Sequence, residues 1–129
     1  IIKAAYRIAN GSSEKLSMGN IKISRDWGYA PDYVEAMWAM LQLKSPEDFV
    51  IATGRTVSLE YFISQAFLYF DLDWTDHVSI DERFFRVSEI MVGAADPEKA
   101  SRLLGWNASC QIENLIKHMI DHCVDETKG

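Results

Sequence analysis

The run Arg25-Asp26-Trp27-Gly28-Tyr29-Ala30-Pro31-Asp32-Tyr33-Val34-Glu35-Ala36-Met37-Trp38 brings an arginine, aromatic residues, a glycine and a helix start into one short stretch. We predict that an extended segment ends at Asp26 and that Trp27-Gly28-Tyr29 turns the chain. Pro31 suits the first helical position, because its missing N–H would have no partner there. Asp32 adds negative charge to the first helical turn, where the helix dipole favours it. The run therefore predicts an arginine held beside aromatic side chains at a helix entrance.

Arg25 is the first candidate for a binding role. A guanidinium that is held rigidly can grip a phosphate group with two parallel hydrogen bonds. An internal ion pair with Asp26 or Glu35 would explain the same residue without any ligand. The residues alone leave both interpretations open.

The whole run resembles, almost residue for residue, the signature of the GDP-mannose 4,6-dehydratases, a branch of the extended short-chain dehydrogenase/reductase superfamily. A looser version, Arg-Asp-aromatic followed by an aromatic and then Asp, recurs across the nucleotide-sugar epimerases and dehydratases. The continuation from Tyr33 to Trp38, with Met40-Leu41-Gln42 after it, is more specific. The resemblance extends roughly from Ile1 to Cys123 and matches only the C-terminal part of that family.

Composition limits the class of protein. The chain has 129 residues, a mass of 14.7 kDa and a net charge of −6, which predict one soluble domain. An acidic chain argues against nucleic acid or an anionic membrane as a partner. No apolar run reaches the length of a bilayer span, and there is no signal peptide. Cys110 and Cys123 make no disulfide framework, so a reduced cytoplasmic protein is the simplest interpretation.

The chain begins Ile1-Ile2-Lys3 without an initiator methionine, which favours a fragment. Its glycines form no G-x-G-x-x-G pattern, and no tyrosine is followed four residues later by lysine. The resemblance therefore implies that the NADP site and the catalytic groups lie in an N-terminal dinucleotide-binding domain upstream. We expect residues 1–129 to form the C-terminal substrate-binding domain, with no catalytic residue and no cofactor of its own.

The second candidate segment is Arg86-Val87-Ser88-Glu89. An arginine and a carboxylate three residues apart can meet a phosphate and a ribose hydroxyl pair of one ligand. The alternative is a surface ion pair worth about 0–1 kcal/mol. In the dehydratases that the chain resembles, this run reads Arg-Pro-x-Glu. The resemblance implies that Arg86 contacts the diphosphate of a GDP-sugar, as does Arg25, and that Glu89 contacts the ribose; Val87 replaces the proline.

Asn20, Arg55 and two histidines are further candidates for ligand contact. Asn20 also matches the family, but it follows a glycine, and turn chemistry explains it before ligand contact does. Arg55 could approach a ligand, although a solvated loop arginine is the simpler interpretation. His118 and His122 lie one helical turn apart, which permits zinc, but no third ligand converges, and we predict no metal site.

The remaining patterns predict a small α+β domain, rich in helix and with short strands. Helices are predicted over about residues 1–10, 31–43, 58–70, 97–104 and 109–123, and strands over 16–18, 21–24, 49–52 and 78–80. Ser58 and Ser109 are the predicted caps of two helices. The helix after Pro31 is apolar around most of its circumference, leaving Asp32 in a narrow polar stripe. It is predicted to be buried from more than one side.

The resemblance implies an enzyme that converts GDP-mannose to GDP-4-keto-6-deoxymannose with NADP, as a homo-oligomer. This chain would supply substrate binding, and its partners would be the nucleotide-sugar and its own N-terminal domain. A related nucleotide-sugar epimerase, dehydratase or reductase is the nearest alternative. A non-catalytic binding module is an alternative of another class.

Overall fold

The computed structural model describes residues 1–128, and the surroundings of side chains in residues 1–126. These residues form a small α+β structure, as predicted, while Gly129 lies outside the described part. The chain divides into two compact units. The first comprises Ile1–Ile23, Ser58–Met91 and the chain from residue 116 onward; the second comprises Ser24–Val57 and Val92–Leu115.

Five α-helices and five short strands are interspersed along the described part of the chain. The helices are α1 (Ile2–Ala9), α2 (Ala30–Leu41), α3 (Leu59–Leu68), α4 (Glu98–Leu104) and α5 (Ile112–Lys128). The strands are β1 (Leu16–Met18), β2 (Ser24–Asp26), β3 (Thr56–Ser58), β4 (Val78–Ile80) and β5 (Val92–Gly93). Single helical turns lie at Trp74–Asp76 and Glu82–Phe84. In the region described, no helix has the length and apolar character needed to cross a membrane.

The first unit is built on a pair of short parallel strands and two helices. Strand β1 pairs with β4, so that Leu16 lies opposite Val78. The buried core behind them consists of Ala5, Ile8, Ile21, Ile63 and Phe67. The predicted cap of α3 is confirmed, since the hydroxyl of Ser58 accepts a hydrogen bond from the N–H of Tyr61 at 3.1 Å.

The second unit contains a small sheet with the strand order β3-β2-β5, in which β2 and β5 run parallel. Its core cluster is formed by Ala36, Ala100 and Trp106. Helix α2 begins at the predicted place, with a proline in its first turn. The predicted end of α4 is also confirmed, since Gly105 adopts the left-handed conformation with φ +64°.

The predicted strand over Phe49–Ala52 is wrong. These residues form no strand in the structure, and Phe49 and Ile51 instead pack against the core cluster of the second unit. Val50 is half exposed. An apolar run becomes a strand only when a neighbouring strand pairs with it, and the described residues offer this run no such partner. The extended segment predicted from residue 21 ends at Asp26 as predicted, but as a strand it begins only at Ser24.

Within the described residues α2 is covered on one face only, so its predicted burial from more than one side requires a neighbour outside them. Its apolar residues at helical spacing are largely exposed: Val34 62%, Met37 59%, Trp38 66% and Leu41 81%. We call these four side chains the α2 stripe. The opposite face of the helix carries Ala36, which is fully buried.

In the second unit, the surroundings of two polar residues differ from those predicted. Asp32, predicted in the polar stripe of α2, is only 5% exposed. Ser109, predicted to cap α5, donates its hydroxyl hydrogen to Asp32 instead, and α5 begins at Ile112. A buried carboxylate must find donors, and Asp32 finds them in the segment before α5.

Candidate functional site

Arg25 lies in the middle of β2 and is half-buried. Its Nη1 donates a hydrogen bond to the carbonyl oxygen of Ser24 at 2.7 Å. The aliphatic part of its side chain lies beside Gly93, its partner on β5. The predicted arginine is therefore held on a paired strand just before the helix entrance.

Asp26 is engaged elsewhere and does not provide the internal partner that the alternative interpretation of Arg25 required. Its Oδ1 accepts a hydrogen bond from the N–H of Thr53 at 2.9 Å, and its Oδ2 accepts one from the N–H of Gly54 at 2.8 Å. Two donated N–H groups leave the carboxylate well satisfied. Asp26 thus ties the end of β2 to the turn at Thr53-Gly54.

Trp27 extends this framework on the next position of the chain. Its indole N–H donates to the carbonyl oxygen of Val57 at 3.2 Å. A half-buried tryptophan normally satisfies its N–H in this way. The aromatic residue predicted beside Arg25 is therefore fixed to the backbone of β3.

The segment that carries Arg86 and Glu89 belongs to the first unit and is irregular, as predicted. Arg86 is exposed, Val87 is fully exposed and Glu89 is half-buried. The segment is joined to β1 at its start, where the N–H of Asp81 donates to the carbonyl oxygen of Met18 at 2.8 Å. Arg86 and Glu89 thus share one accessible stretch of chain.

Asn20 lies against the end of that same segment. Its Nδ2 lies 3.5 Å from the sulfur of Met91. Its Oδ1 accepts a hydrogen bond from the N–H of Lys22 at 3.0 Å, which is the turn geometry expected of an asparagine after a glycine. The structure therefore brings Asn20 next to the segment that carries Arg86 and Glu89. Arg25 belongs to the second unit, so its convergence with them stays a prediction.

Arg55 has an internal partner. Its Nη1 and Nη2 donate to the two carboxylate oxygens of Glu113, at 2.8 and 2.7 Å. This paired geometry is the one a carboxylate favours. Arg55 is therefore more than the solvated loop arginine of the simpler interpretation, because its partly exposed side chain is paired with Glu113.

The two histidines predicted not to bind metal lie on the exposed side of α5. His122 lies 3.5 Å from the carboxylate of Glu126. Over the described residues, histidine, cysteine and carboxylate side chains form no group of three that could hold a metal ion.

The surroundings of Asp32, in the first turn of α2, shift the pKa of its carboxyl group. Burial raises the pKa of this carboxyl, but hydrogen bonds from Cys110 and Ser109 outweigh that effect, and the pKa lies below its ordinary value. The same environment raises the pKa of Tyr33 through burial and through the charges of Asp26 and Asp32. The carboxylate of Asp32 is therefore held by hydrogen bonds within the fold, and its role is structural.

Sequence reasoning assigned no role to Asp26 beyond an ion pair and none to Gly93. A glycine indicates the close approach of another group when it lies inside a strand, but strand β5 was not predicted, so this signal for Gly93 appears only with the structure. No local signal indicated that Asp26 would meet the N–H groups of Thr53 and Gly54.

Comparison with solved structures identifies the class of fold. RMD from Pseudomonas aeruginosa complexed with NADPH superposes with a TM-score of 0.85 at 15% identity, covering 97% of this chain and 41% of that one. UDP-glucose 4-epimerase from Thermotoga maritima with UDP-glucose superposes with a TM-score of 0.79 at 20% identity, covering 97% and 38%. The fold is therefore that of one part of the nucleotide-sugar epimerases and dehydratases.

Sequence comparison identifies the family within that class. The family model of GDP-mannose 4,6 dehydratase matches residues 1–119. GDP-mannose 4,6 dehydratase 1 of Arabidopsis thaliana is 44% identical over 128 residues, which cover 99% of this chain and 36% of that protein. The chain belongs to the GDP-mannose 4,6 dehydratase family and spans somewhat more than a third of the length of this relative.

Proposed function

We propose that this chain is the substrate-binding part of a GDP-mannose 4,6-dehydratase and holds the GDP portion of the substrate. Arg25 and Arg86 would grip the diphosphate, Glu89 would accept hydrogen bonds from the ribose hydroxyls, and Asn20 would contact the ligand beside them. The observation that carries the proposal is the family match over residues 1–119, which includes all four residues.

The chemistry of these residues supports a role for this chain in binding the substrate rather than in the chemical steps. Two guanidinium groups suit a diphosphate, because each can donate two parallel hydrogen bonds to its oxygens. Binding the nucleotide far from the reacting carbons orients the hexose for the chemical steps. The expected reaction oxidises the sugar at C4, eliminates water across C5–C6 and returns the hydride to C6. This chain would supply binding and orientation, and NADP, bound outside this chain, would accept and return the hydride.

The α2 stripe supports the proposal that this chain works with a further part of the same enzyme. Adjacent exposed apolar side chains of this size commonly mark an interaction site. We place the dinucleotide-binding part of the enzyme there, in a cytoplasmic homo-oligomer.

Titration with GDP tests the proposal directly. We expect the 129-residue chain to bind GDP weakly by calorimetry, and Arg25→Ala or Arg86→Ala to weaken binding about ten- to hundredfold, the value of a hydrogen bond to a charged group. Arg83→Ala is the matched control, because Arg83 is exposed on the same segment as Arg86 but is paired with Asp81. Unchanged affinity in both test variants would contradict the assignment, and submicromolar affinity of this chain would contradict its partial role.

A related nucleotide-sugar enzyme is the second candidate, because the fold is shared with a UDP-glucose 4-epimerase. The choice between the candidates depends on the base that is recognised. A fusion of this chain to a dinucleotide-binding domain of the family, assayed with GDP-mannose and UDP-glucose, separates them. Conversion of GDP-mannose alone supports the proposal; activity on UDP-glucose alone supports the alternative, and no activity on either supports a non-catalytic module.

A further inference from the structure

The pairing of β2 with β5 places Arg25 directly opposite Gly93. Partners in register on adjacent strands project their side chains to the same face of a sheet, at roughly 5 Å from each other. Gly93 has no side chain to project, and the stem of Arg25 lies in that space. A Cβ built on Gly93 would lie 3.2 Å from Cδ of Arg25 and 3.7 Å from its Nε.

The backbone of Gly93 gives no other reason for a glycine. The glycines with positive φ are Gly11, Gly54 and Gly105, and Gly93 is not among them. A glycine inside a strand weakens the strand, and where its φ is ordinary it commonly marks a close approach of another group. The group that approaches Gly93 is the side chain of Arg25.

We infer that Gly93 is a positioning residue for Arg25. Because Gly93 has no side chain, the stem of Arg25 lies across this position of β5, and this contact orients the guanidinium group of Arg25 toward the diphosphate. This inference rests on the proposed function for the ligand, although the contact between the two residues does not. With the stem packed against Gly93 and Nη1 bonded to the carbonyl oxygen of Ser24, the side chain loses little further conformational freedom when it binds an anion.

The first test measures the position of Arg25 without any ligand. The Nε–H resonance of Arg25, assigned through Arg25→Lys, is recorded by NMR in the wild-type chain, in Gly93→Ala and in Gly93→Val. We expect a small shift with alanine and a larger one with valine, because the larger side chain displaces more of the stem. Ala94→Val is the matched control, since Ala94 is the exposed neighbour of Gly93 and alternate residues of an extended chain face opposite ways. An unchanged resonance in Gly93→Val overturns the inference.

The second test separates positioning from stability. Valine favours strands, so Gly93→Val should unfold at the same temperature as the wild type or higher, yet bind GDP about tenfold more weakly, since small misplacements of binding groups are costly. A loss of affinity that accompanies a lower unfolding temperature would point to a structural role for Gly93 and would contradict the inference.

A double-mutant cycle then shows whether Gly93 acts through Arg25. In the Arg25→Ala background, Gly93→Val should cause no further loss of GDP affinity; a further tenfold loss overturns the inference.

If Arg25→Ala itself leaves GDP affinity unchanged, or if GDP does not move the Arg25 resonance, the assignment of Arg25 to the diphosphate fails. In that case the shift caused by Gly93→Val still confirms the contact, so the two failures are distinguishable.

Discussion

The hydroxyl of Ser109 donates a hydrogen bond to Oδ1 of Asp32 at 2.8 Å, although the two residues are 77 positions apart. The N–H groups of Ser109 and Cys110 donate to Oδ2 of the same carboxylate, at 2.8 and 2.9 Å. The side chain of Asp32 thus fastens the first turn of α2 to the segment before α5. The indole N–H of Trp106 adds a bond to the backbone carbonyl of Asp32 at 3.0 Å.

Removing this carboxylate should cost stability. We expect Asp32→Ala to lower the free energy of unfolding by about 3 kcal/mol, because the N–H group of Ser109 and the buried N–H group of Cys110 lose their acceptor. Urea unfolding followed by circular dichroism measures the change. Glu35→Ala is the control, since Glu35 is exposed on the same helix and its loss should change the free energy by less than about 0.5 kcal/mol. Equal values for the two variants would be inconsistent with this role of Asp32.

The same carboxylate predicts a dependence on pH. Because the pKa of Asp32 is lower in the folded chain than in the unfolded one, its ionised form stabilises the fold above the unfolded pKa of about 3.9. That contribution is lost as the pH falls through the folded pKa. The wild-type chain should therefore lose more stability than Asp32→Asn below about pH 4. Urea unfolding over a series of pH values compares them, and parallel curves would refute the prediction.

Asp26 should act as a clamp on the turn at Thr53-Gly54. An asparagine offers one acceptor oxygen in place of two, so Asp26→Asn should lose one of the two N–H bonds and destabilise the chain by about 1–3 kcal/mol. Hydrogen exchange of the N–H groups of Thr53 and Gly54 should accelerate in this variant. Asp48→Asn, an exposed aspartate in the same unit, serves as the control. Unchanged exchange at both N–H groups would show that the clamp does not hold the turn.

The α2 stripe should contribute little to the stability of this chain. Leu41→Ala should change the free energy of unfolding by less than about 0.5 kcal/mol, because Leu41 is 81% exposed. Ile63→Ala should cost about 2–5 kcal/mol, because Ile63 is fully buried and its truncation leaves a cavity. Thermal or urea unfolding of both variants gives the comparison. A large loss for Leu41→Ala would mean that the stripe is already covered in solution.

The ion pair of Arg55 with Glu113 should be structural and weak. Both side chains are exposed, so Arg55→Ala should cost about 0–1 kcal/mol, and less at high salt. GDP affinity should not change, in contrast to Arg25→Ala. A loss of GDP affinity in Arg55→Ala with unchanged stability would add Arg55 to the binding residues.

Three signals contained within a few neighbouring residues predicted the local structure correctly, whereas the predicted cap at Ser109 did not, because Ser109 bonds the distant Asp32. The proline at the start of α2, the capping hydroxyl of Ser58 and the left-handed Gly105 each depend on local backbone geometry, so a short stretch of sequence is enough to predict them. The family likeness was likewise carried by contiguous residues, and the comparisons confirm it.

The sequence by itself thus determined the family, the start of α2, the cap of α3 and the end of α4. The tertiary structure alone decided that Asp32 is buried, that Asp26 holds a distant turn, that Phe49–Ala52 forms no strand and that Arg25 lies across Gly93. The physical reason is that burial and pairing depend on groups many residues away. No local pattern records which distant N–H meets a carboxylate, or which glycine on a neighbouring strand leaves room for an arginine.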